Sequence, residues 1–162
     1  MKALYISLTA ITLIVSACNN RKPSDELLNK KAAIPASFHF DSAGLKVITS
    51  SINKKNRTMS TLYGNDLALK TAVSGSEDYP AGENLTLVTW KQQDDDSWFG
   101  ARIPGDLESV EVIKTTNSTE GMGITVINYQ KFEGHELVIN PDTLHQQERI
   151  KHIFAQKPSV MP

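Results

Sequence analysis

Short strand-like segments that follow one another closely constrain the fold of this chain more than any other feature. Residues 45–52 are rich in β-branched side chains, and a polar turn at residues 53–56 separates them from residues 57–63. Residues 57–63 alternate polar with apolar side chains, which is the period of a half-buried strand. Further strands are predicted at residues 84–90, 98–103, 109–114 and 121–132. Strands that are neighbours in sequence favour antiparallel pairing.

Two of these strands alternate clearly enough to predict which side chains share a face. In the strand at 84–90, one face carries Leu85, Leu87 and Thr89, and the other carries Thr86, Val88 and Trp90. In the strand at 109–114, one face carries Ser109, Glu111 and Ile113, and the other carries Val110, Val112 and Lys114. Successive side chains of a strand point to opposite sides of its sheet, so each set belongs to one layer.

Two segments carry helix signals. Asn65 precedes an apolar stripe and can accept hydrogen bonds from the N–H groups of a first turn, while Gly75 is a suitable stop. Asn140 and Pro141 predict the start of a last helix, because proline fits the first helical position. The resulting six strands and two helices predict an α+β fold, an antiparallel β-sheet of five or six strands with flanking helices.

The first residues have the pattern of an export signal. Lys2 is followed by a short uncharged apolar run that ends in small residues, and this run is too short to span a bilayer. The stretch from Val15 to Cys18 resembles the lipobox of bacterial lipoproteins. That resemblance implies cleavage before Cys18 and acylation of its thiol, so membrane lipid becomes a partner through Cys18. The alternative is a plain secretory signal with Cys18 near the cut by chance.

Several consequences follow from the lipoprotein interpretation. Cys18 is the single cysteine of the chain, so without acylation an exported protein would carry one odd free thiol. Asn19, rather than aspartate, follows it, which favours a lipid-anchored protein of the bacterial cell envelope in the outer membrane, facing the periplasm or the surface. The expected organisation is a signal peptide at 1–17, a lipidated N-terminus and flexible tether at 18–37, and one domain at 38–162.

Charge and motifs exclude several classes of function. The formal net charge is −1, so no basic excess points to nucleic acid as a partner. No glycine-rich phosphate loop or nucleophile elbow is present. The run from Asp94 to Asp96 is consecutive, whereas calcium ligands alternate along a loop, so it predicts a solvated hairpin loop with Trp90 and Trp98 in the flanking strands.

Three stretches resemble a known family: RTMSTLYGNDLALKTAVSG (57–75), YPAGENLTLVTWKQQ (79–93) and WFGARIPG (98–105). Their order and spacing are similar to the haem domain of the cytochrome P-460 family, over roughly residues 38–162. The resemblance implies an antiparallel sheet with flanking helices, often as a homodimer. It also implies a c-type haem held by a Cys-x-x-Cys-His motif near the carboxyl end, and a lysine that crosslinks to the macrocycle in members that oxidise hydroxylamine.

This sequence departs from the family pattern at the haem motif. Within residues 1–162 no cysteine follows Cys18, so thioether attachment has no thiol and haem is conceivable only as a non-covalent cofactor. Lys91 ends a matching strand and is the candidate for the crosslinking lysine. A non-covalent haem needs an axial ligand, usually histidine or methionine.

The candidate axial ligands are histidines. His145 and His152 are seven positions apart on the predicted last helix and share a face, and His135 lies in a turn-like loop. The alternative for all three is a solvent-exposed histidine without a ligand, which the polar neighbours of His145 and His152 favour. His39 lies between two phenylalanines and fits an edge strand.

Three hypotheses about function remain. The first is a small-ligand binding module whose ligand is an unknown small molecule or a non-covalent haem. The second is a structural or interaction lipoprotein without a cofactor, in which side chains fill the family's cavity. The third is a haem-dependent redox enzyme, which the missing haem motif disfavours. No catalytic residue and no metal site are predicted.

Overall fold

A computed structural model describes residues 28–39, 44–118, 124–142 and 144–159 of the chain. Its core is a six-stranded sheet with two α-helices on one side. The strands are β1 (Lys46–Asn53), β2 (Thr58–Gly64), β3 (Asn84–Asp94), β4 (Arg102–Asn117), β5 (Thr125–Glu133) and β6 (Val138–Asn140); the helices are α1 (Asp66–Ser74), α2 (Gln146–Phe154) and a 3-10 turn at Ala36–Phe38. Among the described residues, no helix is both long and apolar enough to cross a membrane.

The sheet is an antiparallel meander in which each strand pairs with its neighbours in sequence, in the order β1-β2-β3-β4-β5-β6. The predicted α+β fold is therefore confirmed. The described residues form six strands, as predicted, but the ranges of these strands differ from the predicted segments. Residues 102–103 of the segment predicted at 98–103 and the whole segment predicted at 109–114 belong to one strand, β4. The short strand β6 was not predicted.

Irregular pairing explains why β4 continues past Pro104. The register between β3 and β4 shifts on both sides of Trp90, and such bulges let a strand accommodate a proline without losing its direction. The hairpin loop predicted between β3 and β4 is confirmed, since both strands pair across it. Asp94 closes β3 in an ion pair with Arg102. The prediction that Trp98 lies in a flanking strand is wrong. Trp98 lies in the loop between β3 and β4 and is 73% exposed.

The two faces predicted for β3 and β4 are confirmed by the burial pattern. We call the side that packs against α1 and α2 the helical face. Its buried cluster consists of Ile48, Leu62, Ala68, Leu85, Leu87, Ile113 and Ile153. The opposite face is built around Val88, Leu107 and Val110, with Trp90 and Phe132 packed beside them. Both faces are thus covered at the centre of the sheet, which is where β3 and β4 lie.

The segment before β1 covers the opposite face. Phe38 packs edge-on against Phe132 with 5.2 Å between the ring centroids. The indole N–H of Trp90 donates to the carbonyl of Ala32 at 2.8 Å, and the N–H of Leu107 donates to the carbonyl of Lys31 at 2.8 Å. The tether predicted at 18–37 therefore includes residues, from 28 onward, that lie against the sheet.

Helix α1 begins and ends as the sequence predicts. The Asn65 side chain accepts from the N–H of Ala68 at 3.0 Å, and Gly75 adopts the left-handed conformation at the end of the helix, with φ 66°. Gly64 allows α1 to approach the sheet, because a Cβ there would lie 2.6 Å from the Ile48 side chain and 3.0 Å from Ala68 Cβ. The first distance would force the Ile48 side chain to shift, and the second is tighter than an ordinary van der Waals contact.

The start of the last helix was predicted wrongly. Asn140 is the last residue of β6, and α2 begins at Gln146. The Asn140 side chain accepts from the N–H of Asp142 at 2.8 Å, and the Asp142 side chain accepts from the N–H of Leu144 at 2.8 Å. These are Asx turns, in which the residues that favour a helix cap close a turn instead.

One buried ion pair fixes α2 to the sheet. Glu111 of β4 is 2% exposed, and its carboxylate accepts from Arg149 Nη2 at 2.5 Å and from Arg149 Nε at 3.0 Å. The hydroxyl of Tyr129 donates to the same carboxylate at 2.6 Å. Glu111 raises the pKa of Arg149 by accepting these hydrogen bonds. Burial raises the pKa of Tyr129, and its hydrogen bond to Glu111 adds to this shift. Both partners therefore stay protonated donors.

The Arg149→Met variant tests this attachment. Methionine keeps the length of the stem and removes the two charged donors, which leaves Glu111 buried with Tyr129 as its one donor. Breaking a buried pair from one side costs several kcal/mol, and because Arg149 is itself partly exposed we expect a loss of about 2–3 kcal/mol of unfolding free energy. Urea denaturation followed by circular dichroism measures it.

Arg102→Met is the matched control, since it removes an arginine from the exposed pair with Asp94. We expect it to cost less than about 1 kcal/mol. Equal losses in the two variants would show that the pair between Glu111 and Arg149 does not hold α2.

Candidate functional site

A broad recess opens on the helical face beside α2, and we call it the polar groove. Its volume is about 780 Å³. It is lined by Ser51, Ile52, Asn53, Lys54, Asn56, Thr58, Ser60, Leu87, Thr89, Glu108, Ser109, Glu111, Lys131, Arg149, His152 and Gln156. The strands β1 to β5 supply its floor, and α2 supplies one wall.

Hydroxyl and charged groups dominate the chemistry of the polar groove. On its floor the hydroxyls of Ser60 and Thr89 hydrogen-bond each other at 3.0 Å across β2 and β3. Lys131 pairs with Glu133 at 2.6 Å. The wall from α2 contributes His152 beside the guanidinium of Arg149. Such a surface offers donors and acceptors to a polar ligand, with four basic side chains facing two carboxylates.

The structure separates the residues that the sequence analysis proposed for a cofactor. His152 lines the polar groove. His135 is exposed in the turn between β5 and β6, and Lys91 is exposed in β3 opposite Thr58. Cys18, the lipidation candidate, lies outside the described residues. Of the four cofactor candidates, His152 lines the polar groove, and Lys91, His135 and His145 do not line it.

The prediction that His145 and His152 share a helical face is wrong, because α2 begins at Gln146, after His145. His145 precedes the helix in a left-handed conformation with φ 64°, and its Nδ1 lies 3.3 Å from the Glu148 carboxylate. Over the described ranges, no three histidine, cysteine, aspartate or glutamate side chains converge in a way that could hold a metal ion.

A second, smaller cavity lies on the other side of α2, and we call it the Glu83 cavity. Its volume is about 290 Å³. It is lined by Ile48, Leu62, Ala68, Thr71, Ala72, Gly75, Ser76, Glu77, Tyr79, Glu83, Leu85, Ile153, Phe154, Ala155, Gln156 and Lys157. Helix α1, the end of α2 and the first three strands enclose it. The chain after α2 returns to β1, where the N–H of Ser159 donates to the carbonyl of Ile48 at 3.1 Å.

Glu83 stands out among the residues of this cavity. It is 2% exposed, and neither carboxylate oxygen accepts a hydrogen bond from any described residue. Burial raises the pKa of Glu83, although nearby Thr71 lowers it in part. The Thr71 hydroxyl donates to the carbonyl of Leu67 at 3.3 Å, so it does not satisfy the carboxylate. Buried polar groups in proteins almost always have a partner.

The backbone around Glu83 is firmly placed. Its N–H donates to the hydroxyl of Thr115 at 2.8 Å, and its carbonyl accepts from the N–H of Thr115 at 3.0 Å. The same hydroxyl donates to the carbonyl of Pro80 at 2.6 Å. Asn65 adds a bond from its amide to the carbonyl of Gly82 at 2.8 Å. The turn before β3 is thereby tied to β4 and to the start of α1.

Two aromatic rings form a wall of the Glu83 cavity. Tyr79 and Phe154 stack with 3.7 Å between their centroids and 21° between their planes. Burial raises the pKa of Tyr79, and the carboxylates of Glu77 and Glu83 raise it further. Both carboxylates therefore act on the hydroxyl of the same tyrosine.

Sequence reasoning did not single out Glu83. A signal was present: Glu83 continues the odd-numbered alternation of Leu85 and Leu87, which predicts a side chain on the covered face. Glu111 was placed on that face correctly, but its partner Arg149 is 38 residues away, and sequence spacing does not reveal such a pairing.

A search among curated proteins finds no match. The sequence model of a family described as Cytochrome P460 matches residues 43–136, which is more than half of the chain. The matched range contains β1 to β5, α1, Glu83 and Glu111, and it ends before α2. The chain belongs to the cytochrome P460 family.

Proposed function

We propose that this domain is a small-ligand binding module and that a polar molecule with an anionic group binds in the polar groove. The observation that carries the proposal is the recess of about 780 Å³ on a paired sheet, with His152, Lys54 and Lys131 in its lining. Ligand sites are concave and carry convergent polar groups, usually within a mostly apolar lining. The groove is concave and its lining is mostly polar, which suits a polar ligand.

The residues of the groove do not fit a haem, which the family implies. Ile52 and Leu87 are the two aliphatic side chains in its lining, and the rest are hydroxyl, amide or charged. A porphyrin ring laid in the groove would take charged and amide side chains such as Lys54, Asn56 and Glu108 out of water without giving them hydrogen-bond partners, and burying such groups is costly. The Glu83 cavity, at about 290 Å³, lies at the lower bound of about 300 Å³ for sites of drug-sized ligands.

The basic groups of the groove favour an anionic ligand over a neutral one. The guanidinium of Arg149 donates to Glu111. Its contribution to ligand binding is therefore a positive charge at a fixed position more than a free hydrogen-bond donor. His152 follows on the next exposed turn of α2, and Lys54 approaches from the turn between β1 and β2. A carboxylate or phosphate group between these side chains would accept charge-assisted hydrogen bonds, which are about twice as strong as neutral ones.

We further propose that the domain works at the envelope, tethered by an acylated Cys18 in the outer membrane. The apolar run before Cys18 and the lipobox-like stretch that ends at it support this proposal. Several acyl chains give stable anchoring where a single chain is marginal. Because the family resemblance implies a homodimer, we also propose that two copies of the domain associate.

A second candidate function, an interaction lipoprotein, is favoured by one observation. The tip of the hairpin between β3 and β4 presents Trp98 and Phe99 to solvent. Large aromatic side chains on an exposed loop are frequent in protein interfaces, where they supply contact area at low entropic cost. This surface lies apart from the lining of the polar groove, so the two functions are separable by mutation.

Ligand binding in the groove is tested by matched pairs of variants in the full-length protein, purified in non-ionic detergent. Succinate titrated into ¹⁵N-labelled protein should shift amide signals of the groove residues. We expect His152→Ala and Lys54→Glu to weaken succinate binding about tenfold, because each removes a charge-assisted contact. His145→Ala and Lys55→Glu, which alter neighbouring positions outside the groove, should leave it unchanged.

Haemin added to the same protein should give no saturable Soret band that survives gel filtration. A stable haemin complex that His152→Ala abolishes would contradict the proposal and restore haem as the ligand. Succinate shifts scattered over the surface, and equal in all four variants, would also contradict it.

The Cys18→Ser variant tests the anchor. Serine lacks the thiol that would carry the acyl group, so we expect the protein to move from the membrane fraction to the soluble fraction, as detected by immunoblot of fractionated cells. The control is Ser24→Ala, which changes a serine outside the lipobox-like stretch and keeps the thiol. Retention of the Cys18→Ser protein in the membrane would contradict lipid anchoring.

A further inference from the structure

We propose that the Glu83 cavity binds a small organic cation, a protonated alkylamine of a few carbons, with the Glu83 carboxylate as its counter-ion. This site is separate from the polar groove, and the proposal does not depend on what the groove binds.

Comparison of two buried glutamates points to a missing partner. Glu111 and Glu83 are both 2% exposed on the helical face. Glu111 receives three hydrogen bonds, two from Arg149 and one from Tyr129, whereas Glu83 receives none from the described residues. A buried carboxylate that lacks donors costs stability, and an external donor of positive charge removes that cost.

Among the residues that the structure describes, no side chain donates to the Glu83 carboxylate. Lys157 lines the mouth of the cavity, but its ammonium group donates to neither oxygen of Glu83. The bonds from Thr115 fix the backbone of Glu83, and the residue is 2% exposed. The carboxylate is therefore buried beside the cavity without a donor from the described residues.

The other walls select an organic ammonium group over a metal ion. Calcium takes six to eight oxygen ligands, whereas Glu83 and Glu77 are the two carboxylates of this lining, and no three acidic, histidine or cysteine side chains converge among the described residues. The stacked pair of Tyr79 and Phe154 suits a cation close to a ring face and an alkyl chain against its edge.

The size of the cavity limits the ligand. At about 290 Å³, it admits a short alkylamine and excludes a large polycyclic amine. The neutral analogue of the same shape should bind poorly, since it leaves the carboxylate without a charged donor. These two limits define the probe, n-butylammonium, and its control, n-butanol.

Isothermal titration of full-length protein in detergent with n-butylammonium chloride tests the proposal. We expect saturable binding that Glu83→Gln weakens about tenfold or more, because a charged hydrogen-bond partner is lost. Glu77→Gln, the matched change at the mouth, should weaken it less than about threefold, as expected for an exposed charge. n-Butanol should not bind measurably.

Thermal unfolding of each variant separates loss of the site from loss of the fold. Burial raises the pKa of Glu83, so its charged form opposes folding at neutral pH, and we expect Glu83→Gln to melt at or above the parent temperature. Equal binding by the parent and a folded Glu83→Gln protein would overturn the proposal. So would the absence of n-butylammonium binding to the folded parent, or binding of n-butanol with equal affinity.

Discussion

The contact between Glu111 and Arg149 determines what the helical face of this protein can do. It is made between a buried carboxylate in the central strand pair and a helix that contributes few other polar contacts to the sheet. With that contact in place, Ile153 is buried in the apolar cluster and Phe154 reaches Tyr79. Helix α2 then divides the covered face into two recesses, the polar groove on one side and the Glu83 cavity on the other.

The two recesses differ because the sheet beneath them differs. Under the groove, β2 and β3 carry serine and threonine on the helical face, whereas nearer α1 the same strands carry Leu62 and Leu85. The chain matches the family over β1 to β5, while the lining of its groove is mostly polar. A fold of this kind keeps its sheet and helices when the site placed on them changes, so function has to be argued from the site.

Local signals in the sequence predicted local features well. Alternation assigned Leu85 and Val88 to opposite faces, and Asn65 and Gly75 marked the ends of α1, since each of these depends on neighbours within a few residues. The start of α2 was wrong because Asn140 and Asp142 close Asx turns with the same chemistry that caps a helix. Strand β4 was divided in two because a bulge, invisible in composition, carries it past Pro104.

The candidate sites were harder to predict, since both depend on contacts between distant parts of the chain. His152 was proposed as a ligand and lines a recess, but His135 and Lys91 do not join it. Glu83 was overlooked because its significance lies in a missing partner, and only the packing of α1 and α2 around it makes that visible. The sequence showed which functional groups the side chains carry. The packing of the helices on the sheet determines which of these groups lie close together.

Native-state hydrogen exchange tests most directly the central claim that α2 is held on the sheet through Glu111. In the parent protein, the amides of α2 from Arg149 to Phe154 should be protected. In an Arg149→Met protein they should exchange faster by about two orders of magnitude while amides of β3 stay protected, as expected for a locally opening unit. Unchanged protection of α2, or equal loss of protection in α2 and β3, would contradict the account.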